Sequence, residues 1–190
     1  TYGTLGEMYY LGHGVKKDYD RALKLLLKEI EMSDPEDVVY CYSLVGSIYD
    51  IYEDYARAMP YVKYAAEHDN AYSQSQIARY YALGDTTEGV DEKKAEQWAQ
   101  KAINNKNATN YILGYSYRLL GLIYSSSDSK LYDIHRALQN YEKSSSYGDK
   151  IASYNLGEIY ENGEGSIDKN FKLAEKYYRL AAEQGYEKAK

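Results

Sequence analysis

The side chains that most often carry enzyme chemistry are few in this sequence, and they are not spaced for it. The three histidines, His13, His68 and His135, have no cysteine or carboxylate partner at a spacing typical of a metal site. The one cysteine, Cys41, falls at a small apolar position, which indicates packing rather than reactivity. No serine signature typical of a nucleophile stands in a strand-to-helix context. We therefore predict no catalytic residues, no metal site and no cofactor.

Glycine pairs are the other feature that could do chemistry, because closely spaced glycines can cradle a phosphate. Gly12-His13-Gly14 and Gly163-Glu164-Gly165 have the G-x-G spacing but lack P-loop or dinucleotide-binding surroundings. Both are better explained as chain reversals between helices, where glycine readily adopts a positive φ.

The elements around these turns form an internal repeat. An apolar residue, a glycine or alanine, two variable residues and a tyrosine occur five times, with the small residues separated by 40, 32, 43 and 36 residues. Such spacings are typical of helical repeat arrays, in which stacked units build one long surface. The small residues are Gly6, Gly46, Ala78, Gly121 and Gly157, and the tyrosines are Tyr9, Tyr49, Tyr81, Tyr124 and Tyr160.

A second pattern follows each small residue after 8 to 13 residues, where an aspartate or asparagine stands four residues before an alanine. Aspartate and asparagine are favoured at helix N-caps, because their side-chain oxygens accept hydrogen bonds from unpaired N–H groups of the first turn. Each repeat is therefore predicted to be a helix pair. The second helices should begin after Asp18, Asp54, Asp91, Asp133 and Asn170.

The first helix of each pair has a predicted core face. With the small residue counted as zero, positions −5, −1, +2 and +3 lie together on a helix. A small residue at zero lets the second helix approach closely, and a larger side chain there should cost about 1–3 kcal/mol. The core positions are Cys41, Val45, Ile48 and Tyr49 in repeat two, and Ala152, Leu156, Ile159 and Tyr160 in repeat five.

Repeat five is the clearest example of a family pattern, with the segment 152–160, the turn Gly163-x-Gly165 and the ending Ala181-Ala182-Glu183-Gln184-Gly185. The chain resembles the SLR (Sel-one-like repeat) family, relatives of the tetratricopeptide repeats, over essentially its whole length. The resemblance implies an all-α, right-handed superhelical α/α solenoid of about five antiparallel helix pairs. It also implies a protein-protein interaction scaffold whose first helices line a concave surface.

The repeat makes the chain one continuous array rather than two globular domains. The approximate repeats are 1–35, 36–70, 71–107, 108–149 and 150–185, and 186–190 resembles the start of a further repeat. Because both ends then fall within repeats, we expect the chain to be part of a longer protein.

Composition restricts the partners. The net charge is −6, with 29 acidic and 23 basic residues and no basic stripe, so a nucleic-acid partner is disfavoured. No apolar run approaches the ~18 residues that cross a membrane, so we predict no direct membrane insertion in this segment. The single cysteine favours an intracellular or bacterial periplasmic location over a disulfide-rich secreted one. The 26 tyrosines suggest either a binding surface or codon bias, and both interpretations stay open.

The face opposite the predicted core comprises positions −3, +1 and +4, and it lines the concave surface if the geometry follows the family. Arg79 and Arg118 could bind a partner's carboxylate through two parallel hydrogen bonds, and Tyr10 and Tyr154 could add apolar contact. An ordinary solvated helix face is the alternative. The predicted partner-binding residues are Glu7, Tyr10, Asp50, Arg79, Arg118, Tyr154, Glu158 and Glu161, and the same face includes Gly3, Ser43, Ser47, Ser75, Ala82, Leu122 and Ser125.

We predict a non-enzymatic adaptor that binds a protein or peptide partner on its concave surface; a monomer is expected, although the oligomeric state stays open. Two alternatives stay open. Certain secreted family members are linked to β-lactam binding or hydrolysis, so the resemblance allows a secreted or periplasmic enzyme of that type. A self-stacking structural module is the other alternative, because uncapped solenoid ends expose apolar surface.

Overall fold

The structure is a computed structural model that describes residues 1–85 and 89–189. Those residues contain ten α-helices, two short 3-10 helices and one isolated β-bridge between Glu164 and Ile167, without any strand. The predicted all-α fold class is confirmed. The helices are α1 Tyr2–Leu11, α2 Tyr19–Met32, α3 Val39–Ile51, α4 Tyr55–Glu67, α5 Ala71–Leu83, α6 Glu92–Ile103, α7 Asn110–Ser125, α8 Ile134–Ser146, α9 Lys150–Asn162 and α10 Phe171–Glu183, with 3-10 helices at Pro35–Val38 and Glu187–Ala189.

The helices pack as five pairs in chain order, from α1 with α2 to α9 with α10. Each second helix also packs against the first helix of the next pair, so every pair is held mainly by its neighbours in sequence. This is the contact pattern of a solenoid. The repeat boundaries given above remain a prediction about where one unit stops and the next begins.

Each predicted N-cap residue makes one hydrogen bond to the second helix and one to the first helix, and together these bonds join the pair. Its side chain accepts from the backbone N–H three residues later at 2.9–3.0 Å. Its own backbone N–H donates to the carbonyl of the repeat's tyrosine at 2.7–3.0 Å. The loop between those two points is therefore free to vary in length. The joined residues are Asp18 with Tyr9, Asp54 with Tyr49, Asp91 with Tyr81, Asp133 with Tyr124, and Asn170 with Tyr160.

The small residue at position zero lies against the second helix of its own pair, as predicted. A Cβ added at Gly46 would lie 2.4 Å from Cγ2 of Val62. One added at Gly121 would lie 2.5 Å from two ring carbons of Tyr141. Both distances are far below van der Waals contact, so the two helices could not pack this closely around a larger side chain.

The predicted core positions are buried. In repeat two all four predicted side chains belong to the main hydrophobic cluster, and in repeat five Ala152, Leu156 and Ile159 do, with Tyr160 partly buried against them. In the turns, Gly12 and Gly163 have the predicted positive φ values, 79° and 67°. The turn of repeat two has no glycine, and there Glu53 takes the left-handed conformation with a φ of 57°.

Two glutamines on α5 are buried in different ways. Gln74 is 1% exposed, donates to the carbonyl of Ala66 at 3.1 Å and accepts from the amide of Asn105 at 3.0 Å. Gln76 is 4% exposed, and within the described residues neither its amide nitrogen nor its amide oxygen has a hydrogen-bond partner. The equivalent position, two residues before the small residue, is Leu44 in α3 and Leu119 in α7, both buried.

We expect Gly121→Ala to lower the free energy of unfolding by about 1–3 kcal/mol, because the new methyl group would overlap the Tyr141 ring. Gly114→Ala, in the same helix, is the matched control. Its new methyl group would meet its nearest neighbour, Cβ of Tyr147, only at 3.2 Å, so the loss should be smaller. Urea denaturation followed by circular dichroism measures both, and equal losses would contradict the proposed role of position zero.

We expect Gln76→Leu to raise the free energy of unfolding by about 1–3 kcal/mol, because leucine removes two buried polar atoms that lack partners. Gln74→Leu is the control on the same helix and should lower it, since it leaves the Ala66 carbonyl and the Asn105 amide unpaired. The same urea titration gives both values. A loss of stability in both variants would mean that Gln76 makes a stabilising interaction after all.

Candidate protein-interaction surface

The first helices of successive pairs lie on the shorter side of the solenoid. α1 contacts α3, α5 contacts α7 and α7 contacts α9, whereas within the described ranges no two second helices touch each other as extensively. The first helices therefore line the inside of the curve. We call the surface formed there by Tyr10, Asp50, Tyr72, Arg79, Tyr111, Tyr115 and Arg118 the inner face.

Arg79 is the centre of an ion-pair cluster on this face. Its Nη2 pairs with the Asp50 carboxylate of α3, and its Nη1 donates to Asp85 at 3.0 Å. The Tyr80 hydroxyl donates to the same Asp50 carboxylate at 2.9 Å. The Arg79 side chain is only 17% exposed. It therefore ties α5 to α3, and its charge is already balanced within the protein.

Arg118 makes a different kind of pair. Its Nε donates to Asp149 at 2.9 Å, and its guanidinium lies 4.8 Å from the centre of the Tyr115 ring. Asp149 is the N-cap of α9, so this pair joins α7 to the next first helix. The side chains of Arg118 and Asp149 are 20% and 13% exposed. Partial burial strengthens such a pair compared with one in open solvent.

Four tyrosines from three first helices form what we call the tyrosine patch: Tyr10 of α1, Tyr72 of α5, and Tyr111 and Tyr115 of α7. The phenols of Tyr10 and Tyr72 both lie near Tyr111 and near the Ser47 hydroxyl on α3. The rings of Tyr111 and Tyr115 stack with centres 6.2 Å apart. Tyr72 is 36% exposed and Tyr111 66% exposed, so the patch is open to a partner.

Burial keeps three phenols of the patch uncharged over a wider pH range than usual. It raises the pKa of Tyr72 and that of Tyr115 to about 12, and Arg79 and Arg118 offset only part of the effect at Tyr115. Burial also raises the pKa of Tyr10 above its usual range, with Ser47 acting in the opposite direction. A phenol is already uncharged at physiological pH, and the raised pKa values keep these three uncharged to a higher pH than usual. Each can donate or accept a hydrogen bond while its ring offers apolar surface.

The other predicted partner-binding residues lie towards the two ends of the array. Glu7 accepts a hydrogen bond from the Tyr40 hydroxyl at 2.9 Å, which joins α1 to α3. At the far end, Tyr154 packs against the rings of Tyr178 and Tyr186. Glu161 accepts from the Tyr178 hydroxyl at 2.6 Å, and Glu158 is exposed beside them. The structure brings only Tyr10, Asp50, Arg79 and Arg118 of the eight together on the inner face.

Part of the predicted concave surface is buried. Gly3, Ser43 and Ser75, at position −3, are buried, and so is Ser47 at +1. Ser43 hydrogen-bonds to Ser73 of the next first helix, which explains why this side of the helix is covered. In repeats one to three, position −3 is therefore covered, whereas Arg118 and Tyr154, at the same position in repeats four and five, are only partly buried.

Tyr72, Tyr111 and Tyr115 were not predicted, although the sequence carries a signal for two of them. A tyrosine stands six residues before the small residue in repeats two, three and four, at Tyr40, Tyr72 and Tyr115. On a helix, position −6 lies only about 20° from position +1, so these side chains share its face. Tyr111 stands one helical turn further towards the N-terminus of α7, at a position that the other first helices do not reach.

Two further findings concern the described residues. They contain no group of three or more His, Cys, Asp or Glu side chains placed to hold a metal ion. None of their helices combines the length and the apolar character needed to cross a membrane.

A stack of antiparallel helix pairs, each packed against the next, defines the class of α/α-solenoid repeat proteins. The Sel1 repeat family model matches residues 5–33, 71–107, 112–149 and 150–186. These ranges cover most of the chain, and the chain belongs to the Sel1 repeat family, which confirms the resemblance seen in the sequence. The matched ranges omit the pair α3 and α4, although that pair has the same N-cap and the same close glycine contact as the others.

Solved structures show the same fold. A Sel1 repeat protein from Oxalobacter formigenes is similar with a TM-score of 0.74 and 26% identity, over 99% of this chain and 74% of its own. The protective antigen c5321 of uropathogenic Escherichia coli is similar with a TM-score of 0.75 and 23% identity, over 99% of this chain and 39% of its own. The immunity protein Pa5087 of Pseudomonas aeruginosa is similar with a TM-score of 0.61 and 20% identity, over 98% of this chain and 68% of its own. The last two are similar in fold alone. Comparison with curated proteins finds no match.

Proposed function

We propose that the chain is an adaptor that binds a segment of a partner polypeptide along its inner face. Sel1 repeat proteins are generally protein-interaction scaffolds, and their folds are typically non-enzymatic. The observation that carries the proposal is the tyrosine patch, in which four phenols from three helices share one surface and stay partly exposed. Tyrosine is enriched at protein interfaces because one side chain combines a large apolar ring with a polar end.

The helices that carry the patch extend far enough along the array to hold a polypeptide segment. Three steps between neighbouring first helices separate α1 from α7, and packed helices lie roughly 10 Å apart. These helices therefore extend over roughly 30 Å of the array, the length of about nine residues of extended chain, while the phenols of Tyr10, Tyr72 and Tyr111 converge towards one another. The partner's backbone can hydrogen-bond to the phenols, while its side chains pack against the rings.

The inner face is also held in one shape before a partner arrives. The pair between Arg79 and Asp50 links α5 to α3, and the pair between Arg118 and Asp149 links α7 to α9. The tyrosines stand on the first helices α1, α5 and α7 rather than on loops. Binding to a preformed surface loses less conformational entropy than binding that must order the surface first.

The hydrolytic alternative has no comparable support in the described residues. Cys41 is buried, and burial raises the pKa of its thiol, so the sulfur is protonated and enclosed rather than a nucleophile. We therefore assign no catalytic residue, and we assign the ion pairs of Arg79 and Arg118 to packing and recognition.

We expect 12-residue peptides selected from a random displayed library on the chain to depend on the tyrosine patch. Replacing Tyr72 and Tyr111 together with serine should raise the Kd of such a peptide at least tenfold, because tyrosines at interfaces often contribute 2 kcal/mol or more. Isothermal titration calorimetry with the selected peptides measures the change.

The matched control is the double variant Tyr132→Ser with Phe171→Ser. These rings are 40% and 68% exposed, close to the 36% and 66% of Tyr72 and Tyr111, and they lie off the inner face. The control should leave the Kd within twofold of the unsubstituted chain. Peptides that lose affinity with the control variant and keep it with the inner-face variant would place binding elsewhere and refute the proposal.

A further inference from the structure

A recess of about 380 Å³ opens beside the tyrosine patch, where α7 meets the turn between α8 and α9. Its walls include the rings of Tyr111, Tyr115 and Tyr147, and its charged lining includes Arg118 and Lys150. The recess thus combines aromatic walls with two cations. A binding surface for an uncharged polypeptide segment does not need those cations.

The guanidinium of Arg118 is held from one side only. Its Nε donates to one oxygen of Asp149 at 2.9 Å, while the other oxygen of Asp149 accepts the backbone N–H groups of Ile151 and Ala152 at 3.0 Å each. The carboxylate is therefore fully occupied in fixing the arginine and capping α9. Within the described ranges, Nη1 and Nη2 of Arg118 have no hydrogen-bond acceptor, so the outer edge of the guanidinium is free.

Charge and burial make this edge of the guanidinium selective for a carboxylate. Arg118 and Lys150 carry two positive charges beside the single negative charge of Asp149, in a chain whose net charge is −6. The Tyr115 ring stacks on the guanidinium, and only 20% of the Arg118 side chain is exposed. Two free, coplanar N–H groups on a guanidinium match the two oxygens of a carboxylate, and partial burial strengthens that interaction.

The geometry points to this recess as the site that binds an Asp or Glu side chain of the partner segment, with the carboxylate accepting hydrogen bonds from both Nη atoms of Arg118. The inference rests on the proposed function, because it names the chemistry recognised on the same surface. A side chain fits better than a chain terminus, because the array continues past the recess to α9 and α10, so a segment that lies along the inner face has further helices to contact beyond it.

Two displayed peptide libraries test the inference on the unaltered chain. In one, random 12-residue segments are flanked by carrier sequence on both sides, and in the other they end in a free carboxylate. We expect the flanked library to give binders with an Asp or Glu at one fixed position. A selected peptide is then synthesised with both ends blocked, together with a version in which that acid is replaced by its amide.

Replacing the acid by its amide should weaken binding to the chain at least tenfold, and binding to Arg118→Gln no more than about twofold. Arg136→Gln is the matched control, because Arg136 also pairs with a carboxylate, Glu96, and stacks on a ring, Tyr124. The Arg136→Gln variant should keep the full tenfold difference in Kd between the acid peptide and the amide peptide. Thermal unfolding of each variant verifies that the helices remain intact.

A tenfold difference that persists in Arg118→Gln would overturn the inference, as would binders that arise only from the library with the free carboxylate. Binders that depend on Tyr72 and Tyr111 but carry no acid would also overturn it while leaving the proposed function intact. Failure of both libraries to give any binder that depends on these tyrosines would instead count against the proposed function itself.

Discussion

The bond between each N-cap residue and the tyrosine carbonyl of its own repeat is the constraint on which the rest of the structure depends. Through it one residue, such as Asp133, starts the second helix with its side chain and fixes the end of the first helix with its backbone N–H. The close contact at Gly121 or Gly157 then sets how near the two helices lie. Because both constraints are local, the same pair forms five times although the intervening turns differ in length and glycine content.

The inner face follows from the contacts between pairs rather than from those within them. Second helices pack on the next first helix, and several first helices also touch each other directly, so the first helices gather on the short side of the curve. Ion pairs such as Arg79 with Asp50 hold these helices at fixed positions, and the tyrosines between them remain partly exposed. A surface of uncharged phenols beside a partly engaged arginine suits a polypeptide that offers backbone groups, apolar side chains and an acid.

The fold could be predicted from the sequence because its determinants are local: the small residue, the tyrosine and the N-cap each act within one repeat. The site could be predicted only in part, because it depends on which residues of neighbouring repeats meet. The sequence identified Arg79 and Arg118 as inner-face cations, but not that Asp50 and Asp85 enclose the first while Asp149 holds only one side of the second. Burial of Ser43 could not be predicted for the same reason, since Ser73 of the next repeat covers it.

One continuous inner face, built from several repeats, is proposed to bind one polypeptide segment. An NMR titration of the chain, labelled with 13C on the tyrosine rings, with a peptide that binds it tests this proposal. The ring signals of Tyr10, Tyr72, Tyr111 and Tyr115 should shift together with a single Kd, while those of Tyr132 and Tyr177 should stay in place. Shifts confined to the tyrosines outside the inner face, or to those of a single repeat, would contradict it.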